Sequence, residues 1–244
     1  MIRQFALSAI ALGLAATAQA QSEPRSIEDQ ATDRRSFVSR PEVVQDAGVL
    51  ADLVNDYREE HGLARLPVSP LLTQVAQAHV ADMAAQTDGG LSVLETLDPE
   101  TGEMCGSHSW SDGSWQDELE WTPVCYIAGG LYANAMWSKP REITRGAYAD
   151  IAFEIATWSN LELSPEFALE LWSESPGHRA VMLQEGAWAA QDFKSMGVAI
   201  GGHFAYIWFG RIDDSAVSPE PVREAEAAAD VVAQDPAPSG KARK

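Results

Sequence analysis

The chain has 244 residues, 45% of them apolar, and a formal net charge of −19. That length and apolar content suit one packed domain with tails. A surface this acidic repels nucleic acid and anionic lipid headgroups, which excludes a DNA- or RNA-binding role and gives divalent cations only weak, unselective attraction.

The first residues read as an export leader. Arg3 supplies the positive start, Phe5 to Ala16 is a mostly apolar run, and Ala18-Gln19-Ala20 is a small-residue cleavage site. Cleavage is expected before Gln21. No later stretch is long and apolar enough to span a bilayer, so the mature protein is expected in the periplasm or the medium. Two cysteines, Cys105 and Cys125, are present. In an exported chain such a pair is expected to be joined. Closing a loop of about 20 residues is worth roughly 3 kcal/mol in the chain-entropy model. Two free buried thiols are the alternative.

Residues 21–45 are polar and aperiodic and read as a flexible leader, with order expected from Asp46. Val49, Leu50, Leu53, Val54 and Tyr57 recur at helical spacing. His61-Gly62 closes that helix, since glycine is favoured just past a helix end. Ser69-Pro70 opens a second helix, whose buried stripe is Leu71, Leu72, Val75, Ala76, His79 and Met83; His79 reads there as a core histidine. Residues 86–150 are rich in Gly, Ser, Asp and Trp, with little periodicity, and read as a long functional loop. Residues 151–156 are a short apolar run. Ser164-Pro165 opens a third helix through Phe167, Ala168, Leu171 and Trp172. Met196, Val198 and Ile200 alternate, as do Phe204, Tyr206 and Trp208, with Gly201-Gly202 between them, which predicts a β-hairpin. Residues 213–244 are acidic and rich in Ala and Pro, and read as a disordered tail. Helices beside antiparallel strands give an α+β class.

Several segments resemble one family. LVNDYREEHGLARLPVSPLLTQVAQAHVADMA (53–84) is similar to the opening helix pair of CAP proteins, the superfamily of cysteine-rich secretory, antigen 5 and pathogenesis-related proteins. ELWSESPGHRAVML (170–183) resembles the SPGHR element of its bacterial members, with Val181 where that pattern carries Asn. MGVAI (196–200) and YIWFG (206–210) resemble the strands that follow. The resemblance implies a CAP-type α-β-α sandwich with a central antiparallel sheet over residues 46–212, the 86–150 loop being a variant. It also implies a large cleft lined by two His and two Glu. The matching positions are His108 in GSHSWS, Glu154 in AFEIA (with Ile155 where the family has Asn), Glu174 and His178.

Two imidazoles and a carboxylate suit a divalent metal such as zinc, with His108, His178 and Glu154 as the ligand set. Only the resemblance brings them together, since the sequence carries no H-x-x-x-H helix and no Cys cluster. Each also has a plain structural reading. His108 satisfies loop backbone groups, His178 knits helix to sheet, and Glu174 is an ordinary helix-end residue. Glu154, inside an apolar run, needs a partner to be buried; His108, His178 and Arg179 are the candidates. His61 reads as helix-terminal and His203 as exposed. Ser109 and Ser111 lack a nucleophile elbow. Asp112, Asp117 and Glu118 lack EF-hand spacing. Trp110, Trp115, Trp121 and Trp137 either pack the long loop or line an apolar groove.

The leading expectation is a non-enzymatic exported binding module for a lipid, glycan or extracellular protein. A metal-dependent hydrolase would use a Glu as base for metal-bound water and would need His108, Glu154 and His178 to converge, open to solvent. A structural envelope protein would bury all three and bond them to one another.

Overall fold

The computed structural model describes residues 34–86, 105–111, 113–115, 119–127 and 135–215. The leader (1–20), most of the 21–45 segment and all but the start of the tail lie outside these residues.

A short helix, α1, is described over residues 34–38. It is followed by α2 (Pro41–Glu60) and α3 (Pro70–Gln86). A small hairpin, β1 (Gly113–Trp115) with β2 (Leu119–Trp121), precedes α4 (Lys139–Ile143). Then come β3 (Ala152–Trp158), α5 (Pro165–Glu174), α6 (Pro176–Met182), β4 (Ser195–Gly201) and β5 (Phe204–Gly210).

The three long strands form one antiparallel sheet in the order β3-β5-β4. β4 and β5 are the expected hairpin. Its two-residue turn is made possible by Gly202, at φ 57°. The central strand β5 is buried at all seven positions, because helices cover both faces of the sheet. Ala152, Ala156, Ala199, Tyr206 and Trp208 pack with α3 residues Leu72, Val75, Ala76 and Met83 on one face. Phe153, Ile155, Val198, Ile207 and Phe209 pack with Leu50 and Val54 of α2 and with Ala168 and Trp172 of α5 on the other. The result is the three-layer α-β-α sandwich.

β4 shows α3 a row of small residues, Ser195, Gly197, Ala199 and Gly201, and keeps Met196, Val198 and Ile200 for the α2 side. This lets the α3 backbone rest on the strand: a Cβ added at Gly197 would lie 2.0 Å from the carbonyl carbon of Leu72. Just before α3 the chain pairs with β4, Ser69 N donating to Met196 O at 2.8 Å and Met196 N to Pro67 O at 3.0 Å.

The caps follow the sequence signals. Ser69 Oγ accepts from Leu72 N at 2.9 Å and Ser164 Oγ from Phe167 N at 3.2 Å. Gly62 follows α2 at φ 80°. Several boundaries move. α2 begins at Pro41, ahead of Asp46, because proline suits a first helical turn after the extended Arg40, and Val38 in α1 is already buried. Val49, placed on the buried stripe by spacing, is 37% exposed. The 86–150 stretch contains a hairpin and α4 rather than loop alone. At the other end Asp214 is buried, its Oδ2 accepting from Leu71 N at 3.3 Å, so the opening of the expected tail belongs to the fold.

Candidate functional site

Glu154 is in the middle of β3, opposite Trp208 of β5, on the sheet face that α3 covers. Its side chain has no solvent exposure. A carboxylate there requires partners, and it has two. His79 Nδ1, from α3, lies 2.6 Å from Oε2, and His108 Nδ1, from the 105–111 segment, lies 2.6 Å from Oε1. Burial pushes the carboxyl up, but the charge and hydrogen bonds of His79 and His108 outweigh it and hold Glu154 below the ordinary glutamate value.

His79 is fully buried and stacked between two rings, Trp110 at 4.1 Å and Tyr206 at 4.0 Å between centroids. Its Nε2 donates to the backbone carbonyl of Ser109 at 2.9 Å. It is therefore more than the core histidine its position suggests, since it is the inner partner of Glu154. The clue was available: an acidic residue in an apolar run needs a counterpart, and His79 is the ionisable residue on the buried stripe of α3. The Arg179 alternative does not hold. Arg179 is exposed and faces Glu185 at 3.4 Å.

The segment carrying His108 has little regular structure of its own and is held by cross-links. Cys105 and Cys125 are disulfide-bonded. Gly106 N donates to Tyr126 O at 2.9 Å, and Trp110 and Val124 exchange both backbone bonds at 2.8 and 2.9 Å. Tyr206 OH donates to Ser107 O at 2.9 Å; burial, then the charges of Glu154 and Asp82, hold this phenol protonated far above its usual range. Ser111 N donates to the buried Asp82 at 2.9 Å. Trp110 and Trp121 are buried edge to face at 5.2 Å, so these two pack the loop. Trp137 packs on Phe153. The side chains of Trp115, Asp112, Asp117 and Glu118 lie outside the described residues.

His108 keeps 18% of its side chain exposed and meets the Tyr126 ring edge-on at 4.9 Å. His178, in the first turn of α6, is half-buried. Burial first, then the nearness of His108, pushes its imidazole below the ordinary value, so it is neutral at pH 7. Glu174 is exposed at the end of α5 and, among the described residues, its side chain makes no hydrogen bond or ion pair. The structure thus joins His108 to Glu154, adds His79, and shows no direct contact of His178 or Glu174 with Glu154 among the described residues.

A zinc site asks for at least three converging protein ligands. Among the described residues no group of three or more His, Cys, Asp or Glu is arranged to hold a metal, and both Glu154 oxygens are already engaged. The donor set does not fit the expected His108, His178 and Glu154 zinc site.

The family model of the cysteine-rich secretory protein family, CAP, matches residues 51–204. No curated protein matches the chain significantly. Among solved structures, the chain is similar to an extracellular protein containing a SCP domain from Bacillus anthracis str. Ames, with 18% identity and a TM-score of 0.45 over 78% of this chain and 45% of that one. It is also similar to a cysteine-rich secretory protein from Staphylococcus aureus, with 10% identity and a TM-score of 0.39 over 70% of this chain and 39% of that one. The chain spans less than half the length of either.

Proposed function

The chain belongs to the cysteine-rich secretory protein (CAP) family, and from that premise we propose that it is an exported binding module that takes its ligand at His108 and His178. In this reading residues 1–20 are the export leader, and the domain runs on past residue 212 into the first residues of the tail. The supporting observation is the division of the site into two levels. The side chains of Glu154 and His79 have no exposure, while His108, bonded to Glu154, and His178 of α6 keep partial exposure.

That division speaks against the two rival readings. A hydrolase needs a base with a free oxygen, and both oxygens of Glu154 receive imidazole nitrogens. A purely structural cluster would seal every member, and His108 keeps 18% of its side chain exposed. Among the described residues no helix is long and apolar enough to cross a membrane.

The test is a histidine-side-chain NMR titration of the exported chain with soluble oligosaccharides, neutral phospholipid vesicles and zinc chloride in turn. Movement of the His108 and His178 signals with a saccharide or vesicle, and not of His61 or His203, is the expected result. A response to zinc alone, or to nothing in the panel, overturns the proposal.

A further inference from the structure

Helix α6 carries His178 in its first turn but is anchored mainly at its other end. Ser175 closes α5 and opens α6 at once and makes no side-chain cap bond. Pro176, Gly177 and Arg179 are exposed, and the buried residues of the helix are Val181 and Met182. The far end finishes in a Schellman turn, Glu185 N donating to Ala180 O at 2.8 Å and Gln184 N to Val181 O at 3.1 Å. That turn needs a left-handed residue, and Gln184 takes it at φ 51°. Glycine is the residue such a backbone favours, and another persists there when its surroundings hold it. Gln184 is held twice. Its Oε1 accepts from Arg58 Nη2 at 3.0 Å, and its Nε2 donates to Gln191 O in the approach to β4.

Arg58 completes the junction. It is 2% exposed near the end of α2. Its Nη1 donates to Met182 O, the next α6 carbonyl after those the turn satisfies, and its Nε donates to Ala64 O at 3.3 Å. No carboxylate pairs with it among the described residues. Burial pulls the guanidinium down to about 10, which leaves it charged at pH 7, and the carbonyl end of α6 meets that charge. We propose that Arg58 and Gln184 are the positioning residues of His178: by pinning the end of α6 to α2 and to the segment before β4, they fix where its imidazole stands. The planar fork of arginine spans two acceptors on different segments, which the single ammonium of lysine does not reproduce. The placement of the ring stands on this geometry, and its use in recognition rests on the binding-module reading.

The experiment measures histidine ring motion by carbon-13 relaxation at Cε1 in the full chain, for the wild type, Gln184→Gly and Arg58→Lys. Thermal melts and titrations with maltotriose and with neutral phosphatidylcholine vesicles accompany it. Gln184→Gly puts the favoured residue into the turn, so it should melt no lower than the wild type, yet His178 should gain motion while His108 and His203 keep theirs. Arg58→Lys should free His178 in the same way and melt lower. Affinity for a probe that the wild type binds should fall about threefold to tenfold in both variants, the scale of ordering one side chain on binding. A merely structural pair would lower the melting temperature of Arg58→Lys and leave the His178 ring as rigid as in the wild type in both variants. That result overturns the proposal. His178 freed in both variants, with neither probe bound by the wild type, supports the positioning and overturns the binding-module reading.

Discussion

The two walls that meet at Glu154 are built in opposite ways. The sheet wall, formed by β3, β5 and α3, owes its shape to side-chain size: alternation buries both faces, and the small residues of β4 set how closely α3 approaches. The loop wall, residues 105–111 and 119–127, owes its shape to cross-links: a disulfide, an exchanged backbone pair and a tyrosine hydroxyl from the sheet. His79 and Glu154 belong to the first wall and are immobilised by packing. His108 belongs to the second and keeps partial exposure. A site for binding needs both, since the first supplies fixed charge and the second supplies access.

The strongest way to break the sheet wall is Gly197→Val. The new side chain would collide with the α3 backbone at Leu72, which cannot rotate away, and no cooperatively folded protein is expected in a thermal melt followed by circular dichroism. Glu154→Ala strikes the junction between the walls. It leaves the buried His79 ring, and His108 beyond it, without their shared carboxylate and opens a cavity, a loss of about 3–5 kcal/mol in urea unfolding, partly restored by His79→Phe in the same chain. Replacing Cys105 and Cys125 by serine addresses the loop wall alone. The expected cost is roughly 3 kcal/mol, and hydrogen exchange should show residues 105–111 and 119–127 losing protection while β5 keeps it.

Acid offers a milder comparison. Glu154 and His178 both titrate below their ordinary values in the folded chain, so across those intervals the unfolded chain binds more protons and stability rises with pH. The melting temperature should fall as pH drops below the usual imidazole range and fall again below the usual carboxylate range. His178→Gln should flatten only the first step. At the small end, Arg65 bridges Asp52, Asp56 and Glu59 in full view of solvent. Arg65→Ala should leave the urea midpoint unchanged at physiological salt.

The same contrast explains what could be read before the fold was known. Size-determined structure leaves periodic traces, so α3, α5 and the β4–β5 hairpin were legible from spacing, and Ser69, Ser164 and Gly62 announced their turns. The cross-linked wall leaves almost none. His108 and His178 came from resemblance rather than pattern, because a histidine in a Gly/Ser stretch carries no periodic signal. Glu154 was legible as a burial problem, but its solution was not. His79 is 75 residues away in sequence, and helical spacing reports only that its face is inside. The early start of α2 was hidden by its polar first turns, which pack only through isolated residues such as Val43.

Asp214 bears on where the chain can be cut. It reaches back across the molecule to the backbone amide of Leu71, in the first turn of the helix that carries His79, and Ser195 Oγ is bonded to Ile212 O beside it. A recombinant fragment ended at residue 212 would remove this second acceptor at the start of α3, worth about 1 kcal/mol, and leave Ser69 as the remaining cap. One ended after Ser215 would retain it.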